Sequence, residues 1–304
     1  MLDFGYNAPI MASKKPLIGF IGQGWIGKAY ADNFEERGYE TVRYSLEKQW
    51  IKNKDKIREC DIVFIAVWTP TTPNGFDVSV VENVLPLVGK GKIAVLKSTI
   101  VPGTTEELQK KFPDIILLYS PEFLSVASHL HDAAHPFVNL VGMPAHDAKH
   151  FNAAECVMKI LPRAPYSDIC KSAEAEIFKY THNTSGYTQV ILFNLMYDLA
   201  QKMGADWDVV NRAVQADPLI AKRYSNPVHK KGRGAGGGCF IKDVAALRSR
   251  YKKLVPEDTL GLKVFEAMEA KNIDLLVSTG KDFDLLEGVY GADVVKKRRK
   301  KQGK

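Results

Sequence analysis

The chain is poor in cysteine: Cys60, Cys156, Cys170 and Cys239 are the only four in 304 residues. No two form a CxxC pair, and no His/Cys cluster has zinc-ligand spacing. That argues against a structural metal and against a disulfide-stapled secreted scaffold, and predicts a reduced, cytoplasmic protein without metal. Long apolar runs are also missing. None reaches the roughly 18–20 residues that a bilayer span requires, so no membrane partner is expected. Residues Met1 to Lys15 lack a basic start followed by an apolar stretch, so no secretory signal is read there. No internal repeat and no low-complexity segment precede the C-terminal end.

That end is almost without acid. Lys296, Lys297, Arg298, Arg299, Lys300, Lys301 and Lys304 face only Asp293 and supply most of the net charge of +7. Such a run binds polyanions or is simply solvated. A solvated, disordered tail over residues 292–304 is expected, with no nucleic-acid partner. With 45% hydrophobic and 25% charged residues, the chain has an ordinary globular balance, and its length suggests two domains.

The first half alternates short apolar runs with amphipathic stretches. The runs are Pro16–Ile21, Thr41–Tyr44, Ile62–Val67, Ile93–Leu96, Ile115–Tyr119 and Phe137–Val141. Ile26–Arg37, Val78–Leu87 and Thr104–Lys111 are helix-length segments between them. This rhythm predicts an α/β fold, a doubly wound parallel sheet with helices on both faces. The second half is helical: Ser172–Met203 with Gly186 as the only breaker, Trp207–Gln215, Ile241–Lys253 and Asp258–Ser278. The expected division is a Rossmann-type domain over 1–167, an all-helical domain over 168–291 and the tail over 292–304.

Two glycine runs carry chemistry. The first, Gly22, Gly24 and Gly27, satisfies GxGxxG between a strand and a helix. The first glycine makes a tight turn, the second admits a pyrophosphate, and the third lets the helix pack on the strand. A dinucleotide is therefore expected there. The acid that grips a ribose 2′-OH belongs at the end of the second strand, but Ser45 stands in its place. Glu47 falls two residues late, and Arg43 and Lys48 leave a 2′-phosphate open, so NAD is preferred over NADP without being required.

The second run, GAGGG, places Cys239 at the start of a helix. A helix N-terminus and Lys242 both favour a thiolate, and Asp243 shares its helical face. A thiolate beside a carboxylate suits covalent catalysis. Lys179 and Asn183, at i and i+4 on the long helix, point one way and suit an oxyanion or a polarised carbonyl.

Six segments in order resemble the UDP-glucose/GDP-mannose dehydrogenase family over nearly the whole chain. They are GQGWIG, DIVFIAVWTPT, KSTIVPGTT, YSPEFL, FKYTHN and GAGGGCFIKD. The resemblance implies an NAD-dependent oxidoreductase of nucleotide-sugar metabolism and polysaccharide biosynthesis. It would oxidise a nucleotide-sugar primary alcohol twice, to the carboxylate, as in UDP-glucose 6-dehydrogenase. It implies catalytic roles for Cys239 (thiohemiacetal, then thioester), Lys179 and Asn183 (oxyanion), and Asp243 with Thr99 and Glu122 (proton transfer and water). Cofactor contacts would come from Gly22, Gly24, Trp25, Ile26, Gly27, Ser45, Thr69, Thr71, Thr99, Glu122 and Lys242. Substrate contacts would come from Phe123, Leu124, Lys179, Asn183, Arg223 and Gly236. The 172–203 helix would form a homodimer.

The chain departs from the family pattern at four points. No third domain for the base and ribose is expected after Asn272–Thr279, Val126 replaces a second acid, and Ser45 replaces the ribose acid. Either Leu219 or Arg223 takes the place of a substrate arginine. Two alternatives stay open: a two-electron β-hydroxyacid-type dehydrogenase, and a truncated NAD-binding pseudoenzyme.

Overall fold

The computed structural model describes residues 15–301 and 303; nearly all of the segment read for a secretory signal lies outside the described residues. β1 (Ile18–Ile21), α1 (Trp25–Glu36), β2 (Thr41–Tyr44) and β3 (Ile62–Ile65) open the fold. A short hairpin, β4 (Thr71–Thr72) and β5 (Gly75–Phe76), leads to α2 (Ser79–Val84), β6 (Ile93–Leu96), α3 (Thr104–Lys111) and β7 (Ile116–Tyr119). Then come α4 (His129–Ala134), β8 (Val138–Met143), α5 (Ala148–Ile160) and β9 (Tyr166–Lys171).

Seven strands form one sheet in the order β2-β1-β3-β6-β7-β8-β9. Successive residues of each inner strand enter opposite cores. Phe20, Phe64, Val95 and Leu118 join Phe34, Ala154 and Val157 on one face. Ile21, Ile65, Leu96 and Leu117 join Val81, Leu85 and Leu108 on the other. A sheet covered on both faces needs apolar residues at every strand position, which is why these strands read as unbroken runs.

Two features differ from the expected parallel Rossmann sheet. β8 runs antiparallel to β7. The connection between them, residues 120–137, contains the six-residue α4. Secondly, β9 pairs with β8 as far as Lys171, so the expected boundary at 167/168 falls inside a strand. β9 is an edge strand whose sequence, YSDICK, is largely exposed, and its polar character hid it.

The helical part consists of α6 (Ser172–Met203), α7 (Trp207–Ala216), the hairpin β10 (Val228–His229) and β11 (Gly232–Arg233), α8 (Gly237–Leu254), α9 (Thr259–Ser278), α10 (Phe283–Tyr290) and α11 (Val294–Lys301). Gly186 does not break α6. A Cβ there would lie 2.6 Å from Tyr224 and 3.0 Å from Phe240, so glycine is what lets those rings pack on the helix. The tail expected to be disordered is helical over Val294–Lys301. Val295 is buried with Leu286 and Val289, and Arg298 pairs with Asp274 at 2.7 Å. One apolar anchor and one ion pair dock a helix whose sequence is dominated by charge. Among the described residues no helix is long and apolar enough to cross a membrane.

Candidate active site

The glycine turn joins β1 to α1. Gly22 has φ of 92°, and a Cβ on it would lie 2.3 Å from the Ala66 carbonyl oxygen; a Cβ on Gly27 would lie 1.9 Å from the Gly22 carbonyl oxygen. Nothing lies within 4 Å of the space in front of Gly24. Gly24 caps α1 without any side-chain hydrogen bond, and the first turn holds no acid. Free N–H groups, open space and a positive helix end together fit a pyrophosphate. Trp25, the first residue of the helix, is exposed and meets His129 edge-on at 4.8 Å; Ile26 follows it, packed against the core.

At the neighbouring strand end, the Ser45 hydroxyl accepts from the Glu47 N–H at 3.3 Å. Arg43 is not available for a 2′-phosphate. It is 7% exposed and forked between Asp32 (2.7 Å) and Glu35 (2.6 Å) of α1, and both carboxylates raise its pKa against the effect of burial. That removes one of the two cations that left NADP open.

Two threonine hydroxyls tie down the loops on the cofactor side, and that of Thr71 reaches the helical part. The Thr69 hydroxyl donates to the Thr99 carbonyl at 2.7 Å, and the Thr71 hydroxyl donates to the Lys242 carbonyl at 3.0 Å. Thr99 itself follows β6.

The second glycine run delivers Cys239 into the first turn of α8, exposed to solvent. Around it the chain gathers the expected polar side chains. Asn183 donates to Asp243 Oδ2 at 2.7 Å, and Lys242 Nζ contacts Oδ1 at 2.5 Å. Lys179, 4% exposed, donates to the Glu122 carbonyl at 2.5 Å and to its Oε1 at 3.1 Å. Glu122 Oε2 accepts from the Leu124 N–H. Cys239 lies within electrostatic reach of Asp243, Lys242, Lys179 and Glu122.

One expectation for Cys239 is reversed. Although the residue is exposed, its thiol pKa is raised, first because the protein crowded around the sulfur displaces part of its water and second because Asp243 is close; Lys242 and Lys179 only partly offset this. Lys242 and Lys179 are each engaged by a carboxylate of their own, which explains why their pull falls short. Lys179 stays a firm cation, held up by Glu122 and Asp243 against burial.

Phe123, Leu124 and Arg223 line one cavity with Tyr30, Asp132 and His135. Gly236 caps α8, and a Cβ on it would lie 2.0 Å from the Asp282 carboxylate, which would have to turn aside to admit it. Of the two candidates for the substrate arginine, Leu219 is 92% exposed, and Arg223 alone reaches the cavity. Val126, at the missing second acid, is exposed.

Sequence reasoning passed over several residues. Asp282, 45 residues from Gly237, accepts its N–H at 2.8 Å and so caps the cysteine helix. Asn272 bonds both the N–H and the carbonyl of Ala235 in the same loop. Lys97 is 2% exposed, donates to the Ser120 hydroxyl at 3.0 Å and lies over the Tyr30 ring; burial pulls its pKa down to about 7. A lysine interrupting the apolar run IAVLKST was the one available sign. Among the described residues no cluster of His, Cys, Asp and Glu has the makings of a metal site.

A Rossmann-type sheet with a free pyrophosphate turn, joined to a helical domain that brings a cysteine, a lysine and carboxylates to one place, defines an NAD-binding dehydrogenase architecture. The comparisons make this specific. The profile of the UDP-glucose/GDP-mannose dehydrogenase family, NAD binding domain, matches residues 35–160, and that of the central domain matches residues 173–273. The chain belongs to this family, and NAD is its cofactor. The Bacillus subtilis protein YtcA is 30% identical over 208 residues, covering 64% of this chain and 47% of YtcA. A UDP-glucose 6-dehydrogenase of Rickettsia prowazekii is 25% identical over 252 residues, covering 79% of this chain and 56% of its own length. The chain thus spans about half the length of these curated relatives. A UDP-glucose dehydrogenase from Pyrobaculum islandicum shares the fold with a TM-score of 0.73 at 24% identity, over 92% of this chain and 72% of that one.

Proposed function

We propose that the protein oxidises the primary alcohol of a nucleotide sugar to the carboxylate in two steps, a reaction of the UDP-glucose to UDP-glucuronate type. The observation that carries this reading is the gathering of Cys239, Lys179, Asn183 and Asp243 from two helices into one electrostatic cluster. A two-electron dehydrogenase has no use for the cysteine. NAD, when held at the Gly22–Gly27 turn and the Thr69–Thr71 and Thr99 loops, supplies the acceptor for hydride.

The protein's own residues do the rest. Lys179 and Asn183 stabilise negative charge on the substrate oxygen as the alcohol becomes an aldehyde. The Cys239 sulfur adds to the aldehyde carbon and holds it as a thiohemiacetal, so no free aldehyde escapes. Loss of a second hydride leaves a thioester. Water, placed by Asp243 with Thr99 and Glu122, attacks the thioester carbon and expels the thiol. Phe123, Leu124 and Arg223 receive the sugar nucleotide. The unpaired cysteines fit a reducing cytoplasm.

The balance requires two NADH per sugar consumed. A panel of nucleotide sugars, read by NADH absorbance and by carboxylate formed, should give a ratio of about two for the true substrate. A ratio of one sinks the double oxidation.

A homodimer through α6 belongs to the same reading. Leu192, Leu195, Met196 and Leu199 are each 42–52% exposed on that helix, an apolar stripe of the kind that pairs with a second copy. Sedimentation should show a dimer and Leu195→Glu with Leu199→Glu a monomer; a wild-type monomer at micromolar concentration rejects it.

A further inference from the structure

The chemistry above leaves a fully buried carboxyl unused. Glu176 lies on α6 one turn before Lys179 and is 0% exposed. Its Oε2 accepts the Gly103 N–H at 2.6 Å; its Oε1 accepts the Thr105 N–H at 2.9 Å and the Thr105 hydroxyl at 2.5 Å. These donors open α3, in the NAD-binding domain. Gly103, the N-cap of α3, has no side-chain cap of its own and a φ of 94°. The helical domain therefore supplies the cap that the first domain lacks. α8 grips the same loop, since Arg250 donates to the Pro102 carbonyl at 2.8 Å and contacts Glu107 at 3.4 Å. At its other end the loop carries Thr99, tied to Thr69.

We propose that Glu176 is a positioning residue: through Gly103 and Thr105 it fixes the 99–103 loop against the helix that bears Lys179 and Asn183, and so sets the distance between the cofactor and the reacting carbon. This rests on the reading of Thr99 as a cofactor contact. All three partners of Glu176 are donors, so the arrangement is matched to an ionised carboxylate. Burial opposes that and pushes the pKa up to about 7, against the three hydrogen bonds and with help from Glu106. The other titratable groups facing it are Tyr119 on β7 and Tyr180 on α6; Arg250 on α8 and Glu107 on α3 pair with each other beside the same loop.

The sign of the pH effect separates positioning from mere support. A carboxyl whose pKa is raised on folding contributes stability that is full below the ordinary carboxylate range, near pH 4.5, and is lost as pH rises through about 7. The grip on the loop changes the other way, because protonation puts a hydrogen on an oxygen that already faces a donor. Cofactor affinity therefore rises from pH 6 to 8 while the contribution of Glu176 to stability falls.

The test is NADH binding by fluorescence titration on the full chain, from pH 6 to 8.5, beside thermal midpoints. Glu176→Gln keeps an acceptor for Thr105 but turns an amide N–H toward Gly103. It is expected to weaken NADH about tenfold at pH 8, abolish the pH dependence of affinity, and leave the thermal midpoint at pH 8 unchanged or higher. Affinity within twofold of wild type, or affinity lost only together with the thermal midpoint, overturns the proposal. Should Glu176→Gln fail to fold, Thr105→Val decides, since it removes one donor only. A threefold weakening supports the proposal and wild-type affinity overturns it. NADH binding needs no sugar, so failure here leaves the oxidation of a nucleotide sugar untouched.

Discussion

Cys239→Ala is expected to reduce carboxylate formation by about a thousandfold or more while leaving NADH affinity within about twofold of wild type. The sulfur is the only group in the cluster able to hold an aldehyde covalently. Lys179 and Asp243 are each tied to a partner of opposite charge, and Asn183 is bound to Asp243. Without the sulfur the first oxidation leaves an aldehyde that no covalent bond retains, and its remaining tetrahedral form is the hydrate made with water. Cys239→Ser retains an oxygen nucleophile, but a hydroxyl is far harder to ionise than even a raised thiol. It should accumulate aldehyde, trapped as a hydrazone, with little acid. The wild-type rate should climb with pH above neutrality, because the raised thiol pKa leaves little thiolate at pH 7. Quantifying acid by chromatography decides the matter: an alanine variant that makes a tenth of the wild-type carboxylate ends the covalent mechanism.

The second large effect is expected at Gly27→Ala, which should destabilise the protein by about 3 kcal/mol or more and abolish measurable NADH binding. The added methyl group would lie 1.9 Å from a backbone oxygen, that of Gly22. No side-chain rotation relieves a clash with main chain, so α1 must lift away from the turn. Gly22 itself has a φ of 92° and donates to the Tyr44 carbonyl at 2.9 Å, so the turn has little freedom to give. Gly24→Ala is the informative contrast. Its Cβ meets nothing within 4 Å, so its stability should stay within about 1 kcal/mol of wild type. It should still weaken NADH sharply by filling the space that the pyrophosphate needs. Urea unfolding together with NADH titration separates the two. Equal unfolding midpoints for Gly27→Ala and wild type would show that the close packing has been misjudged.

These two predictions rest on glycines and a cysteine that stand out in the sequence alone. Local sequence carries such signals because a tight turn, a helix start and a nucleophile loop are specified within ten residues. The long helices were legible for the same reason: Ser172–Met203 was read with the bounds that the structure shows. Where the reading failed, the deciding contact was distant or the environment was new. The direction of β8 is seen only in its pairing with β7 and β9, and β9 is hidden by its exposed edge position. The docking of α11 depends on one valine and one partner of Arg298 on another helix.

The sequence by itself determined the inner strands, the long helices and the two glycine loops, because periodicity and turn chemistry are local. Only the tertiary structure decided how the site residues are charged and held. Asp282 caps the cysteine helix from 45 residues away, and Glu176 caps α3 from more than 70. Arg43 is spent on α1. The Cys239 thiol is raised where its neighbours in sequence argued for lowering. Each of these turns on desolvation or on a hydrogen-bond partner brought in by folding, and neither quantity is written in the spacing of residues along a chain.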